Sequence, residues 1–257
     1  MLESTIIERQ NMSNNILFNI YQKLPQGPGC AESTEKAFNI ISFRLPPAPS
    51  ILDIGCGAGL QTIQLAELSN GKVTGIDIYK PFLEKLKTTA ISCGYSNICT
   101  KEMSMFDINF DPLSFDLIWS ECSIHIIGFK KGITDWKPFI KPNGFLVASD
   151  ISWLKNNPPA DLSEFWHKSY PDMNSVNTNM SIAEESGYEN VEHFILPEKY
   201  WWDNYYSRFE MIHDDLEKEY SGNPDGLKII SEIKTEMELF KKYSDFYGCV
   251  FYVLKKN

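Results

Sequence analysis

Apolar positions change their period several times along the chain, and each change predicts an element. Ile16, Leu17, Ile20, Tyr21 and Leu24 recur at three- and four-residue spacing, as on one face of a helix, before Pro25-Gln26-Gly27-Pro28-Gly29 breaks the pattern. A second helix is expected from about Ser33, with Ala37, Ile40, Ile41 and Leu45 inward. Pro46-Pro47-Ala48-Pro49 stops it. From there short apolar runs alternate with helical stretches. Runs at 51–54, 73–77, 98–103, 115–120 and 145–149 read as strands. Between them lie helices carrying Leu60, Ile63 and Leu65, then Phe82, Leu83, Leu86 and Ala90, then Phe129, Ile133, Trp136 and Phe139. Pro81 at a first helical position and Gly94 beyond the end bound the middle one. Lys141-Pro142-Asn143-Gly144 predicts a turn before the fifth strand. Strands alternating with helices are the signature of an α/β fold with a parallel sheet. Residues 150–187 read as an insertion with two short helices and 191–196 as a sixth strand. An aromatic, charged helical stretch comes next, broken near Gly222-Asn223-Pro224, and 248–254 is a seventh strand.

The stretch Ile51-Leu52-Asp53-Ile54-Gly55-Cys56-Gly57-Ala58-Gly59 runs from a buried strand through three glycines into a helix. A turn of that kind needs unusual backbone angles and lets a ligand approach the main chain, while the following helix offers free N–H groups. A dinucleotide fingerprint would place its third small residue three positions after Gly57, where Leu60 stands, so a hydride-transfer reading is weakened. The second strand ends on Asp77, placed either to accept bonds from both hydroxyls of a ribose or to cap the helix that starts at Pro81.

Composition adds limits. A chain of 257 residues can bury one substantial core, and a single domain over 1–257 is the expectation: a helical cap over 1–49, a core over 50–150, and the insertion, aromatic helices and last strands over 151–257. A formal net charge of −10 disfavours nucleic acid and anionic membrane as partners. The six cysteines show no CxxC spacing and no His/Asp/Glu pattern suits a metal, so reduced thiols and no metal are expected. Glu3, Glu8 and Arg9 interrupt any apolar signal core and no run reaches the ~20 residues of a membrane span, which predicts a cytoplasmic protein.

Asp53-Ile54-Gly55-Cys56-Gly57-Ala58-Gly59 with Asp77 resembles the class I S-adenosylmethionine-dependent methyltransferases, most closely bacterial small-molecule ones. The likeness extends through Ser104-Met105, Phe115 to Ser120 and Lys141-Pro142-Asn143-Gly144 to Asp150. It implies a doubly wound, mostly parallel seven-stranded sheet, Rossmann-like, whose last strand is antiparallel, with N-terminal helices over the cofactor pocket. It also implies S-adenosyl-L-methionine as cofactor and a small-molecule methyl acceptor. Gly55, Cys56, Gly57 and Gly59 would pass close to the amino-acid half of the cofactor. Asp53 would hold its ammonium or else pin the loop. Asp77 would take the ribose, Ile78 the adenine face, and Ser104 and Met105 the adenine edge, with Glu121 also at the cofactor. Ser104 stands where many relatives carry an acid, so Asp107 is an alternative. Tyr21 and Gly29 are further candidates at the methionine end.

The fourth strand runs into Glu121-Cys122-Ser123-Ile124-His125, which lacks both the Asn-Pro-Pro-Tyr of exocyclic-amine methylation and the Pro-Cys of cytosine attack. His125 is the histidine placed to take a substrate proton, or to hydrogen-bond within the pocket wall. Asp150 either faces the reaction centre or caps the segment after the fifth strand. Tyr200, Trp201, Trp202, Tyr205 and Tyr206 place large aromatics on two helical faces, which reads as core plus a homodimer contact, or as a lid over the acceptor. A catalytically silent cofactor-binding module and a nucleotide-dependent oxidoreductase are the competing functions.

Overall fold

The computed structural model describes residues 16–24 and 27–257. These fall into two compact units, one of residues up to 28 with 198–244, the other of 29–197 with 245–257.

The larger unit is built on a seven-stranded sheet in the order β3-β2-β1-β4-β5-β7-β6. Its strands are β1 Ser50–Ile54, β2 Lys72–Asp77, β3 Ile98–Glu102, β4 Phe115–Ser120, β5 Ile140–Trp153, β6 Tyr188–Ile195 and β7 Tyr247–Lys256. The first five run parallel, and β7 inserts antiparallel between β5 and β6. Helices α1 Ala31–Ile41, α2 Leu60–Ser69, α3 Lys80–Ser92 and α4 Phe129–Trp136 surround it, with α5 Ala160–Ser169 and α6 Val176–Glu185 in the insertion. Right-handed crossovers put α2 and α3 on one face and α4 on the other. Buried on both faces, β1 and β4 are mostly apolar: Leu52, Ile54, Leu117 and Ile118 are solvent-free. Trp136, Ile133 and Tyr252 close the core on the α4 face, and Leu83 and Leu86 pack on Cys56 on the other.

Several element boundaries differ from the sequence expectation, β6 for instance starting at Tyr188, and two of the differences have visible reasons. Lys141-Pro142-Asn143-Gly144 does not precede β5 but bulges out within it: Phe115 pairs with Ile140 and Leu117 with Phe145. Asn143 takes the left-handed conformation there (φ 61°). The Asp116 carboxylate pins the bulge, accepting from Lys141 Nζ (2.8 Å) and Ser50 N (2.8 Å). Second, β5 continues to Trp153 because β7 offers it nine consecutive partners. Asp150 is therefore a mid-strand residue and caps nothing. The fourth helix also tightens at its end, so that Phe139 lies in a 3₁₀ turn, Lys137–Phe139.

The smaller unit is helical. Residues 16–21 form the expected helix; Pro25 and Gln26 of its expected break lie outside the described residues. Helix α7 is α-helical over Glu198–Trp201 and Ser207–Glu219, with a π-helical turn, Trp202–Tyr206, between. Asn223 caps α8, Pro224–Tyr243, by accepting from Gly226 N (3.0 Å). The π turn brings an extra aromatic onto one face. Trp202 and Tyr206 pair at ordinary i, i+4 spacing (ring centroids 5.4 Å), and Trp201 also stacks on Tyr206, five residues on (5.9 Å, 28°). Phe240 of α8 covers Trp201 at 4.6 Å and Tyr206 at 5.4 Å. The Tyr206 hydroxyl donates to Glu236 (2.8 Å). Much of the cluster is thus the core of this unit. No helix among the described residues is long and apolar enough to cross a membrane.

Candidate active site

Strand order reverses between β1 and β4, so the loops leaving their carboxyl ends part and open a crevice. The loop after β1 is held from beneath by two backbone bonds, from Gly55 N and Cys56 N to Ile76 O (2.9 and 3.0 Å). Gly55, Gly57 and Gly59 all have positive φ (71°, 52° and 87°), a conformation that admits other residues only at a cost. Space is limiting as well: a Cβ on Gly55 would stand 2.6 Å from Ser123 Oγ, and one on Gly59 2.2 Å from Leu86. Gly59 N-caps α2 without a side-chain bond, leaving the first turn's N–H groups without that partner.

Asp77 ties two loops together. Its Oδ2 accepts from Gly57 N (2.9 Å) and its Oδ1 from Tyr79 N (2.8 Å). It bonds the residue before α3 rather than the helix's first turn, and each oxygen keeps acceptor capacity for a further donor. Burial raises this carboxyl against the opposing backbone N–H groups of Tyr79, Gly57 and Ile78. Asp53, one strand away, is buried and accepts from Thr62 Oγ1 (2.6 Å). Burial pushes it up to about 7, and the neighbouring Asp77 charge adds to the shift. Glu121 is also buried and accepts from Thr34 Oγ1 (2.9 Å), Trp119 Nε1 (3.2 Å) and Gln61 Nε2 (3.4 Å). Burial holds it up at about 7 despite these donors. Gly29 lies against it so closely that a Cβ there would be 2.5 Å from Oε1.

The turn after β4 is fixed to β1 by Ser123, whose hydroxyl donates to Ile54 O (2.9 Å). Cys122 takes a left-handed conformation (φ 56°), and its N–H donates to Ser149 Oγ (2.8 Å). His125 comes next in a 3₁₀ turn, half-buried, with the Tyr170 ring edge-on at 6.0 Å. Burial lowers the imidazole to about 4, so it is neutral at pH 7 and only weakly basic. Tyr170 is itself anchored: its hydroxyl donates to the Asp150 carboxylate (3.2 Å to each oxygen), and Asn179 Nδ2 bonds the same group (3.2 Å). Asp150, raised to about 7 by burial, thus lies behind Tyr170.

After β3, Ser104 Oγ accepts from Phe106 N (3.2 Å), and Trp136 Nε1 donates to Met105 O (3.1 Å). That bond draws the loop toward α4, and the Met105 methyl lies 3.4 Å from where a Gly55 Cβ would be. Ile78 is exposed at the mouth, and Asp107 is exposed too. The glycine loop, Asp53, Asp77, Met105 and Glu121 are therefore gathered at one place. Cys56 turns inward instead: its sulfur lies 2.9 Å from where a Gly75 Cβ would be, leaving only its backbone toward the crevice. Sequence reasoning overlooked Thr34, Gln61, Ser123 and Tyr170. Gln61 and Ser123, next to the glycine loop and beside Glu121, were within reach of a positional argument. Thr34 and Tyr170 arrive from distant segments and carried no local signal.

Comparison with known proteins bears on the family and the fold. Residues 47–211, well over half the chain, match the family model described as "Methyltransferase domain". Phosphoethanolamine N-methyltransferase 1 of Arabidopsis thaliana is 28% identical over 163 residues, 62% of this chain and 32% of that protein. EEF1A lysine methyltransferase 2 of Danio rerio is 30% identical over 115 residues, 41% of this chain and 49% of that one. The chain thus spans about a third to a half of the length of these curated relatives. Among solved structures, a SAM-dependent methyltransferase from Thiobacillus denitrificans in complex with S-adenosyl-L-homocysteine superposes with a TM-score of 0.78. It is 18% identical, over 94% of this chain and 98% of that one. The chain belongs to the methyltransferase-domain family, on the seven-stranded class I fold of S-adenosylmethionine-dependent methyltransferases.

Proposed function

We propose that the crevice between β1 and β4 binds S-adenosylmethionine and that the protein methylates a small molecule. The observation that carries this reading is the loop 55–59 with Asp77 latched to Gly57, a carboxylate that retains lone pairs for the two hydroxyls of a ribose. The chemistry of the donor set supports it. Asp53, Asp77 and Glu121 surround the loop, which suits a ligand carrying ammonium and sulfonium charges. A pyrophosphate would meet the same carboxylates, and no Lys or Arg lies within 54–61 or 78–79 to offset them. That speaks against a dinucleotide-dependent oxidoreductase.

When bound, the cofactor supplies an electrophilic methyl group on a positively charged sulfur. The protein's task is to hold and align. Gly55, Gly57 and Gly59 bring the backbone close, and Asp53 and Glu121 face its cationic end. Asp77 holds the sugar, while Ile78, Ser104 and Met105 bound the base. His125, neutral and braced by Tyr170, accepts a hydrogen bond from the acceptor's hydroxyl or amine and orients the nucleophile. Alignment alone can contribute several kcal/mol, within the ~7–11 kcal/mol accessible to orientation. The relatives name a phosphorylated amine and a protein lysine as acceptors. The chain's net charge of −10 favours neither nucleic acid nor anionic membrane in that role.

The test is calorimetric titration with S-adenosylmethionine and S-adenosylhomocysteine, followed by transfer of labelled methyl to a metabolite pool. Ligand at about 100 times its Kd should add ~2.7 kcal/mol of stability. Absence of binding would refute the site. Binding without label in any product would leave a catalytically silent module.

A further inference from the structure

The walls of the same crevice also bear on the acceptor, an inference that rests on the cofactor reading above. Loops 103–114 and 121–128 rise from the carboxyl ends of β3 and β4, beside the glycine loop and Ile78-Tyr79. None of these four loops contains a lysine or an arginine. Of the cations nearest in sequence, Lys101 lies 4.3 Å over the Phe110 ring, and Lys80 and Lys130 are exposed in the first turns of α3 and α4. In place of cations the loops present large apolar side chains to solvent. Phe106 is 56% exposed and Ile126 58%, with Ile78 at 54%. Isolated apolar residues on a surface need no explanation, but these stand on successive loops around one opening. The bond from Trp136 Nε1 to Met105 O draws the β3 loop, and with it the stretch carrying Phe106, toward the β4 side where Ile126 and His125 sit. The acids of these loops, Glu121, Asp107 and Asp111, would repel an anionic acceptor, and nothing on the loops would neutralise one.

We propose that the acceptor is a small, predominantly apolar molecule bearing no phosphate or other anionic group, its hydrocarbon part held by Phe106 and Ile126 and its nucleophilic atom presented beside His125. The charge pattern separates this chain from a phosphoethanolamine-type acceptor, since a buried phosphate without a cationic partner is strongly disfavoured.

The experiment first measures S-adenosylhomocysteine affinity, then uses the protein saturated with it. Probes are the neutral apolar dye Nile red, followed by fluorescence, and inorganic pyrophosphate and phosphoethanolamine, followed by calorimetry at millimolar concentration. Phe106→Lys and Ile126→Lys are compared with the parent. Saturable dye binding is expected, weakened about tenfold or more in each variant, while S-adenosylhomocysteine affinity stays within about threefold. No saturable heat is expected from either phosphate compound. Dye that fails to saturate, or binds parent and both variants alike, overturns the proposal, as does saturable binding of pyrophosphate or phosphoethanolamine. Failure of S-adenosylhomocysteine to bind would instead remove the cofactor reading, and the dye comparison on ligand-free protein would still report on the rim.

Discussion

Cofactor binding should be coupled to proton release, and the coupling can be worked out from the two buried carboxyls at the glycine loop. Without ligand, Asp53 and Glu121 are each held up at about 7 by burial. A cationic ligand placed against them favours the ionised form and lowers such a pKa by ~1–3 units. At pH 6 a carboxyl with a pKa of about 7 is roughly 90% protonated and must shed its proton to pair with the ligand; at pH 8 it is already ionised. Affinity should therefore fall about tenfold from pH 8 to pH 6 for each carboxyl that pairs, about 1.4 kcal/mol, and about a hundredfold if both do. The other groups at the site do not reverse the sign. Asp77 is raised too and acts in the same direction, His125 is lowered to about 4, and burial keeps the Cys56 thiol protonated. The assay is titration with S-adenosylhomocysteine at pH 6 and 8, in buffers of different ionisation heat, which count the protons released. Asp53→Asn should bind more weakly and lose one carboxyl's share of the pH dependence. Affinity constant within about twofold across this range, with no buffer-dependent heat, would refute the argument that these acids face the cation.

Stability of the ligand-free protein should move the opposite way. Carboxyls raised above their unfolded values stabilise the fold at low pH and lose that contribution as pH rises through about 7, so the melting temperature should fall between pH 5.5 and 8. Saturation with cofactor should narrow the difference. Asp77→Ala should lose roughly thirty- to hundred-fold in cofactor affinity by titration, ~2–3 kcal/mol, since both the sugar contact and the latch on Gly57 go. Gly55→Ala combines a left-handed φ with a collision against Ser123 Oγ and should melt earlier and bind poorly; adding Ser123→Gly should restore part of the loss. Tyr206→Phe removes the hydroxyl bonded to Glu236 and should cost ~1–3 kcal/mol, with Tm falling ~2–4 °C per kcal/mol while cofactor affinity holds.

Features of this fold are legible in the sequence to the degree that they are local. Strands β1, β2 and β4 and the glycine loop were legible because their signals lie within a few residues: a doubly buried apolar run, then glycines, then a helical period. Asp77 was legible for the same reason, at the end of its own strand. The extension of β5 past Asp150 was not, because it depends on β7, whose partner residues lie about a hundred positions away. In α7 the pairing of Trp202 with Tyr206 is legible at ordinary helical spacing, whereas the stacking of Trp201 on Tyr206 is not, because a π turn makes an i, i+5 pair neighbours.

The two halves of the crevice differ in the same way, and that difference bears on function. Most of the cofactor side is assembled from β1, α2 and β2, consecutive in sequence, so those residues announce themselves by spacing; Glu121, held by Thr34 from α1 and Gln61 from α2, is an exception. The acceptor side is not drawn from consecutive segments. His125 is braced by Tyr170, which arrives on the insertion after β5 and is fixed to Asp150, a carboxylate that Asn179 also bonds. Each of these contacts joins segments tens of residues apart, and none imposes a period on the chain. A fold built this way can keep one cofactor while the insertion and the β3 and β4 loops change, since altering Tyr170, Phe106 or Ile126 leaves the latch between Asp77 and Gly57 untouched. The acceptor is then selected by side chains that the glycine loop neither contacts nor predicts. On the β3 and β4 loops those side chains are apolar and aromatic, beside acids and no lysine or arginine.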